Sequence, residues 1–369
     1  MDGNAIGLVG IIRQRCEIDD AQRSSGDTLL MTGRQFRTLA WCALAVLAIE
    51  WFVLGVLGDR VWWTVPLLFG PRWVLAVSWL GCVPWIWFDI RRAALPALVG
   101  LAVAVLALMG CRLGVQRANL NAGVPFRVME LNADGRHSRP GDIDAEIRDR
   151  KPDLIVIVEC DADLAREVAA VHGYQIRTGD GATLCLLTRG EITEWEVRNP
   201  MDLWKQGGSG GIVRAIIQTP AGLIKVGVVH LATPRNALDN YFDRSELLRQ
   251  GPNTLANIAL RELESGLARD WIFSGSNLPT VIAGDFNLPV ESAIYRRHWG
   301  DLRNAFSRAG TGAGYTKYTH FWGTRIDHVL TSEDIGTHAS FIGRDVGSDH
   351  RPLIADLVLP TVQRTSTAR

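Results

Sequence analysis

Hydrophobic and polar residues are distributed differently in two parts of this chain. Residues 37–112 are almost continuously apolar, whereas residues 126–359 alternate short apolar runs with polar turns. Three runs in the first part have the length and composition of membrane-spanning segments: 39–57, 73–88 and 93–109. Residues 61–72 contain two prolines, a glycine and an arginine, so an interfacial connection is predicted there rather than a fourth span.

The pattern therefore predicts a transmembrane region at 37–112 with about three helices. Most of the 13 tryptophans lie in this region, many of them near the ends of the runs, as in the aromatic belts of membrane proteins. The alternative is that the three runs are buried helices of a soluble protein, which this composition favours less.

Positively charged residues predict the orientation in the membrane. Five arginines precede the first run, and Arg91 and Arg92 lie between the second and third runs. Because cytoplasmic loops carry an excess of Lys and Arg, residues 1–36 and 89–92 are predicted to be cytoplasmic. Three crossings then put residues 113–369 in the periplasm or outside the cell. Residues 1–36 are also predicted to be disordered, and Met31 is an alternative start.

Short runs rich in Val, Ile and Leu recur through residues 126–359, with turn residues between them. The predicted strands are 126–131, 154–158, 183–187, 212–218, 224–229, 281–283, 326–330 and 353–357. Helices are predicted at 142–150, at 161–171 and from 243 to about 264. Many strands with a few helices between them indicate a two-layer β-sandwich flanked by helices.

Polar residues stand at the ends of these strands. The set is Asn132, Glu159, His230, Asp285, Asn287, Asp327, Asp349 and His350. A single Asn or Asp in such a place is usually a turn former, and a single His is usually a hydrogen-bonded partner. A whole set in one context is harder to explain as turns. Because polar groups are costly to bury unless they are paired, liganded or used in chemistry, the set predicts a functional site at the strand ends.

Six strings resemble the endonuclease/exonuclease/phosphatase superfamily, also called DNase I-like. They are 127–132, 152–159, 228–230, 284–287 (Gly-Asp-Phe-Asn), 325–328 and 347–353 (Gly-Ser-Asp-His-Arg-Pro-Leu). They occur in the family's order. The resemblance implies an α+β fold, a four-layer α/β/β/α sandwich at 126–359, with 113–125 as a linker and 360–369 as a tail. The apolar runs before it are similar to a membrane-anchored bacterial branch of the family.

The resemblance also implies a role for each residue of the set. Glu159 and Asn132 would hold a Mg²⁺ ion, for which Mn²⁺ is an alternative, and Asp349 would bind or orient near it. His350, oriented by Asp327, would accept the proton of the attacking water, and His230 would protonate or stabilise the leaving oxygen. Asp285 and Asn287 would position the phosphate and the water. In some branches the Asp of the Gly-Asp-Phe-Asn string is the base, so that assignment stays open.

The expected function is that of a metal-dependent phosphoester hydrolase, with the substrate left open. Residues 126–359 hold 26 Lys and Arg against 31 Asp and Glu, a net charge of about −5, which is unlike a protein that grips many DNA phosphates. A nuclease would need a basic or aromatic groove, for which Arg235, Arg296, Arg297 and Trp299 are candidates. The alternatives are a phosphodiesterase for phospholipid or sphingolipid head groups and, of another class, a catalytically silent, membrane-tethered binding domain. No protein partner is predicted.

The six cysteines have no metal-binding spacing. Cys160 and Cys185 are the two that fall within residues 126–359. Two buried free thiols on core strands are expected there in preference to a disulfide.

Overall fold

The computed structural model describes residues 32–135, 137–179, 183–198, 205, 210–238, 250–319 and 321–361. The predicted disorder of the N-terminal segment falls mostly on residues outside this description, and so does most of the predicted tail. The chain divides into two compact units, one of residues 1–46 and 78–101 and the other of residues 47–77 and 102–369.

The apolar region is helical. Its helices are α1 (Gly33–Phe52), α2 (Val65–Phe69), α3 (Trp73–Ala76), α4 (Val83–Phe88) and α5 (Ile90–Ala102), with short π and 3-10 turns between them. Two continuous helices, Gly33–Arg60 and Ile90–Leu108, are long and apolar enough to cross a membrane. The middle predicted span belongs to a bent pair, Trp62–Phe69 and Trp73–Phe88, whose halves meet at 88°. The structure thus has two or three candidate spans where the sequence predicts about three.

The smaller unit is a cluster of helix segments packed through small residues. Ala40, Ala93 and Ala97 are buried against Trp85 and Cys82. Small side chains let helices approach closely, which is how helices associate inside a bilayer.

The larger unit contains two six-stranded sheets. The first, in spatial order, is β6 (Glu191–Val197), β7 (Gly211–Thr219), β8 (Gly222–His230), β9 (Thr280–Asp285), β14 (Asp327–Thr331) and β10 (Arg303–Asn304). The second is β4 (Gln175–Thr178), β5 (Leu184–Thr188), β3 (Leu154–Val158), β2 (Val124–Asn132), β16 (Leu353–Leu359) and β15 (Gly336–Ile342). Two small ribbons pair β1 (Arg112–Leu113) with β11 (Thr311–Gly312) and β12 (Lys317–Thr319) with β13 (Trp322–Thr324).

Three hydrophobic layers hold the unit together. One lies between the sheets and joins Val128 and Val156 to Val226 and Val281. A second packs α6 (Pro140–Arg150) and α7 (Ala162–His172) on the outer face of the second sheet. A third packs α9 (Gln250–Phe273) and α10 (Ala293–His298) on the first sheet; α8 (Arg235–Leu238) and α11 (Ala305–Ala309) are short. The predicted four-layer α/β/β/α sandwich is confirmed, and all eight predicted strands are present.

Cys160 and Cys185 form a disulfide, with Cα atoms 6.1 Å apart, so the expectation of free thiols is wrong. The reason is strand pairing. β3 and β5 run antiparallel, with Ile157 opposite Cys185, and the Cys160 N–H donates to Thr183 O at 2.9 Å. This brings Cys160, just after β3, within bonding distance of β5. Strand neighbours separated by a helix and another strand cannot be read from spacing alone.

The loop after α1 is buried in the sandwich. Both carboxylate oxygens of Asp59 accept hydrogen bonds at the start of α10: Oδ1 from Ala293 N at 2.6 Å and Oδ2 from Ser292 Oγ at 2.5 Å. Arg261 on α9 donates to Oδ2 at 3.3 Å, and neither ionic side chain reaches solvent. A residue between two apolar helices therefore completes the helical layer of the sandwich.

Further contacts of the same kind surround this one. Arg72 Nη1 lies 2.8 Å from Glu291 Oε2, and Trp322 Nε1 donates to Phe69 O at 3.1 Å. The predicted linker segment is also held, because Gln116 N donates to Arg308 O at 3.0 Å and Ala118 N to Thr337 O at 2.7 Å. The sandwich, residues 59–72 and the segment around residues 116–118 are thus packed together.

We predict that Asp59→Asn destabilises the full-length protein by about 3–5 kcal/mol, because it removes the carboxylate that is paired with the buried Arg261 guanidinium. Adding Arg261→Met to this variant should recover part of the loss, since the guanidinium that has lost its Asp59 partner is then removed as well. Asp89→Asn is the control: its ion pair with Arg92 is exposed and should contribute less than about 1 kcal/mol. The measurement is denaturant unfolding in detergent, and equal stability of the Asp59 and Asp89 variants would contradict the prediction.

His328 is a structural residue of β14. Alternation along the strand puts it on the face opposite to Asp327, in the layer between sheet and helices. It is fully buried; Nε2 donates to Leu288 O at 2.8 Å, and Nδ1 accepts from Asn304 Nδ2 at 3.1 Å. Burial lowers the pKa of His328 to about 4.

We therefore predict that part of the stability is lost in acid through His328. An unfolded His has a pKa near 6.5, so the contribution of the neutral ring is fully present above that pH and is lost as pH falls toward about 4, to a total of roughly 3 kcal/mol. His328→Gln can keep one donor and one acceptor without titrating in this range. Its free energy of unfolding should fall less between pH 7 and pH 4.5 than that of the wild type. Parallel curves for the two proteins would contradict this.

Candidate active site

Strand pairing alone brings three of the predicted residues together at one end of the first sheet. His230, the last residue of β8, lies opposite Asp285, the last residue of the parallel strand β9. Asp327, the first residue of β14, lies opposite Asp285 on its other side. Because β14 is antiparallel to β9, the start of one strand meets the end of the other. One imidazole and two carboxylates are thus side by side.

The second sheet supplies the remaining strand ends. Asn132 ends β2 opposite Val158, so Glu159 follows directly beside it. Ser348 precedes β16 and ties its loop to β2: its Oγ donates to Asn132 O at 2.7 Å and accepts from His350 N at 3.0 Å. The loop therefore holds Asp349 and His350 at the same end of the sandwich.

The side-chain amide of Asn132 connects the two sheets. Nδ2 donates to Glu159 Oε1 at 3.0 Å and to Asp285 Oδ2 at 3.1 Å, while Oδ1 accepts from Asp134 N at 2.9 Å. Two carboxylates that would repel each other are thereby held by a common donor. Asn132 fixes the distance between the sheets at the site.

The backbone is in the left-handed region at two of the site residues, with φ 49° at Glu159 and 50° at Asn287. Such conformations are uncommon in non-glycine residues and are concentrated at functional sites. Asn287 is held there by Asp285 Oδ1, which accepts from its N–H at 2.8 Å, and by its own Nδ2, which donates to Leu231 O at 2.8 Å. Gly284 is required at its position, because a Cβ there would lie 1.9 Å from Val229 O.

His350 and Asp327 form a buried hydrogen-bonded pair. His350 Nδ1 lies 3.0 Å and 2.8 Å from the two carboxylate oxygens of Asp327. The Asp327 N–H donates to Thr316 Oγ1 at 3.2 Å. Since Asp327 accepts the Nδ1 proton, the second ring nitrogen, Nε2, faces the other side chains of the site; Asp285 Oδ2 is 3.9 Å from it.

The remaining predicted residues line the same opening. His230 Nε2 lies 3.5 Å from Glu159 Oε1, and Asp349 Oδ1 lies 3.7 Å from His350 Nε2. The structure therefore brings all eight predicted side chains to one end of the sandwich. Asn287 differs from the others, because its amide nitrogen is bound to the main chain at Leu231.

The sequence did not indicate Lys317, which the structure adds to the site. Its Nζ donates to Asp349 Oδ2 and lies 3.2 Å from His350 Nε2. A usable signal would have been that this chain has only four lysines, at 151, 205, 225 and 317, among 39 basic residues. One of them lies ten residues before Asp327, in the string Tyr-Thr-Lys-Tyr-Thr.

Opposed effects set the ionisation of the site. Burial raises the pKa of Asp285, and Asp327 raises it further, to about 6. Burial lowers the pKa of His350, but the neighbouring carboxylates of Asp327 and Asp285 outweigh this and raise it to about 8. Burial raises the pKa of Asp327, yet His350 outweighs burial and holds it below its usual value. The pair therefore favours a charged carboxylate beside an imidazole that binds a proton readily.

Glu130 lies beneath these groups and was also missed. It is fully buried on β2, and neither of its carboxylate oxygens has a hydrogen-bond partner among the described residues. Burial, Asp327 and Asp285 together raise the pKa of Glu130 well above its usual value. A neutral carboxylic acid at this place adds no further negative charge to the site.

The donor set fits a hard divalent cation. The side chain of Glu159 is partly exposed, on a residue with left-handed backbone, so its carboxylate is open to a ligand. Asn132 Oδ1 accepts one hydrogen bond and keeps a second lone pair that can bind a cation. Together with Asp349 these are oxygen ligands of the kind that Mg²⁺ and Mn²⁺ prefer. Asp285, Asp327 and His350 also offer ligand atoms within 4.8 Å of one another. This second group fits Mg²⁺ less well, because the imidazole nitrogen of His350 is a softer ligand than a carboxylate oxygen and His350 Nδ1 is already bound to Asp327.

Two of the candidate nucleic-acid contacts are used elsewhere. Trp299 is fully buried, with its ring edge-on to Phe286 at 5.0 Å, so its prediction as a candidate for a nucleic-acid-binding groove is wrong. Its apolar side chain is needed between the first sheet and α10. Arg297 is exposed, but its Nη1 is bound to Glu262 Oε1 at 2.6 Å.

Solved structures with a similar fold are at low sequence identity. An endonuclease/exonuclease/phosphatase from Beutenbergia cavernae is 18% identical, with a TM-score of 0.47 over 64% of this chain and 72% of its own. D. rerio TDP2, solved with a single-stranded DNA product, is 13% identical, with a TM-score of 0.49 over 63% and 99%. A family protein from Bacteroides thetaiotaomicron is 14% identical, with a TM-score of 0.48 over 64% and 95%. A search of curated protein sequences gives no match.

The model of one protein family matches residues 118–350, which is more than half of the chain and includes all eight predicted site residues. The order of the strings around Asn132, Glu159, Asp285, Asp327 and His350 agrees with this match. The chain belongs to the endonuclease/exonuclease/phosphatase family.

Proposed function

We propose that this protein is a membrane-anchored, Mg²⁺-dependent phosphodiesterase that acts outside the cytoplasm. The observation that carries the proposal is the buried His350–Asp327 pair, whose second ring nitrogen, Nε2, faces the groups held by Asn132. Phosphoester hydrolysis needs a general base and a cation, and here a histidine oriented by a carboxylate lies next to oxygen ligands for a cation.

His350 is the base in this proposal. Its Nε2 takes a proton from the attacking water, and the Nδ1–H remains bound to Asp327. The negative charge of Asp327 stabilises the imidazolium that forms. Asp285 Oδ2, 3.9 Å from Nε2, is placed to accept a hydrogen bond from the same water and so to orient it. This leaves open the alternative in which Asp285 is itself the base.

His230 is assigned to the leaving oxygen. It lies on β8, on the other side of Asp285 from Asp327, and its Nε2 is 3.5 Å from Glu159 Oε1. An imidazole N–H at this place can donate a hydrogen bond to an oxygen that becomes negative. Asn287 holds Asp285 in place through its N–H.

Glu159, Asn132 and Asp349 are proposed to hold the Mg²⁺ ion, with Mn²⁺ as the alternative. Such an ion, when bound, neutralises charge that develops on the phosphoryl and leaving oxygens. Nothing else in the assignment changes if Asp349 only orients near the ion, since Glu159 supplies the carboxylate.

A lipid head-group phosphodiester is the second candidate substrate. It is favoured by the β12–β13 ribbon, which begins at the site with Lys317 and reaches the apolar helices through Trp322, whose Nε1 donates to Phe69 O. The ribbon also carries Phe321, whose exposed fraction is 82%. A nucleic-acid substrate has less support, since Trp299 is buried and the net charge of residues 126–359 is negative.

The proposed location outside the cytoplasm has two supports. Arg34 and Arg37 lie at the start of α1, and Arg91 and Arg92 lie at the start of α5, as expected for cytoplasmic ends. The Cys160–Cys185 disulfide belongs to the sandwich, and disulfides persist mainly in oxidising compartments.

The catalytic assignment predicts that His350→Ala and Glu159→Ala each lower hydrolysis of bis-p-nitrophenyl phosphate by at least about 100-fold, since a proton acceptor or a ligand is lost. The full-length protein in detergent is the sample. Chelation of divalent cations should abolish activity, and Mg²⁺ should restore it. The control variants are His338→Ala and Glu167→Ala, which lie on β15 and α7 and should stay within a few-fold of the wild type.

Phospholipid vesicles and plasmid DNA, assayed in parallel, separate the two substrate classes. Wild-type rates in both the His350 and the Glu159 variants would refute the site. A protein that hydrolyses none of these esters with Mg²⁺ or Mn²⁺ would refute the proposed function and favour the silent binding domain.

The location predicts that alkaline phosphatase fused after Arg369 is active in cells, because this reporter folds only where disulfides form. The matched control is the same reporter fused after Arg92, on the predicted cytoplasmic side, which should be inactive. The reverse pattern would place the sandwich in the cytoplasm.

A further inference from the structure

Lys317 has no role in the proposed mechanism, although it is a close neighbour of the proposed base. Its Nζ is 3.2 Å from His350 Nε2 and is also bound to Asp349 Oδ2. An ammonium group has three donors and no acceptor, so this contact is a hydrogen bond when His350 Nε2 carries no proton and accepts. The lone pair that must take a proton from water is thus occupied by Lys317.

Main-chain contacts fix the position of Lys317. It pairs with His350 in an isolated antiparallel bridge. On either side, Tyr318 N donates to Asp349 O at 2.8 Å, and Arg351 N donates to Thr316 O at 2.8 Å. The side chain is largely buried, with an exposed fraction of 18%. The ammonium is therefore beside His350 because of the backbone, and not because a long surface side chain happens to reach it.

The electrostatics of the site require a cation there. Glu159, Asp285, Asp327 and Asp349 surround the place where the base would act, and each repels a phosphate group. A phosphodiester oxygen next to His350 Nε2 would be within reach of the Lys317 ammonium. Lysine binds phosphate as a compact charge without demanding one geometry.

From these observations we propose that Lys317 is a substrate-binding residue, whose ammonium leaves His350 Nε2 and binds a non-bridging oxygen of the scissile phosphate. This inference rests on the proposed function. The exchange frees the lone pair of Nε2 for the attacking water, and one donor of the ammonium can stay on Asp349 Oδ2. No covalent bond to Lys317 forms or breaks.

A purely structural Lys317 would give a different result from a substrate-binding one. If its only task were to bridge Asp349 and β12, then removal of the charge would lower stability but leave the affinity for phosphate unchanged. The test therefore measures phosphate binding separately from turnover.

The experiment uses the full-length protein in detergent with Mg²⁺ present throughout. Lys317→Met removes the charge and keeps the length of the side chain, Lys317→Arg keeps the charge, and Lys151→Met is the control at the exposed position that follows the C-terminus of α6. Inorganic phosphate binding is measured by calorimetry, and KM and kcat are measured with bis-p-nitrophenyl phosphate.

We expect Lys317→Met to raise both the Kd of phosphate and KM by roughly 10- to 100-fold, as the loss of a charge-assisted hydrogen bond should. Lys317→Arg should recover most of the phosphate affinity, and Lys151→Met should match the wild type. An unchanged Kd for phosphate in Lys317→Met would overturn the proposal. So would a fall in kcat alone with KM and Kd unchanged, since Lys317 would then act only through His350.

The calorimetric result also separates this proposal from the proposed function. If the wild type binds phosphate but hydrolyses no phosphoester, the proposed function fails, and the Kd values of the two Lys317 variants still decide whether the residue binds phosphate. If the wild type hydrolyses the ester and Lys317→Met binds phosphate normally, only the inference about Lys317 fails.

Discussion

Three carboxyl groups are buried together where the two sheets meet, and the rest of the site depends on how their charges are compensated. Glu130, Asp285 and Asp327 are almost fully inaccessible. Carboxyl groups that are buried next to one another cannot all be ionised, because each negative charge disfavours the others and water does not solvate them. Three features offset this repulsion: His350 balances Asp327, the Asn132 amide donates to Asp285, and the pKa of Glu130 is raised well above its usual value, which favours its neutral form. An imidazole that is hydrogen-bonded to a buried carboxylate is one consequence of this arrangement, and an opening that attracts cations is another.

Much of this arrangement could be predicted from the sequence, for reasons that are local. Asp285 and Asn287 follow a strand that is recognisable by its Val and Ile content, and Asp327 begins another. The residue that follows the end of a strand lies at the edge of the sheet, so its position can be predicted once the strand is recognised. The family strings then supplied the order of the pieces, so the eight site residues and the four-layer sandwich could be expected from the amino-acid sequence alone.

What could not be predicted depends on which strands are neighbours. The Cys160–Cys185 disulfide follows from the pairing of β3 with β5, and Lys317 reaches His350 because β12 lies against the loop before β16. The burial of Trp299 follows from the packing of α10 on the first sheet. The edge strands β4 and β6 were also missed, because their residues alternate in exposure and include charged side chains, so their hydrophobic pattern is too weak to predict a strand. The disulfide, the Lys317–His350 contact and the burial of Trp299 each depend on residues that are far apart in the sequence and leave no local pattern.

The same limit applies to the boundary between anchor and enzyme. By composition, the sandwich begins near residue 126, and everything before it is either membrane or linker. Physically, the unit includes Asp59, which caps the start of α10, and Phe69, whose carbonyl holds Trp322. Trp322 belongs to the ribbon that starts with Lys317. One short hairpin therefore connects the Lys317 ammonium, next to His350, with the apolar segment that contains Phe69. A sandwich cut away at residue 120 would lose both contacts and would expose the buried guanidinium of Arg261. The segment that contains Asp59 and Phe69 is therefore a structural part of the sandwich, although its composition is that of the apolar region.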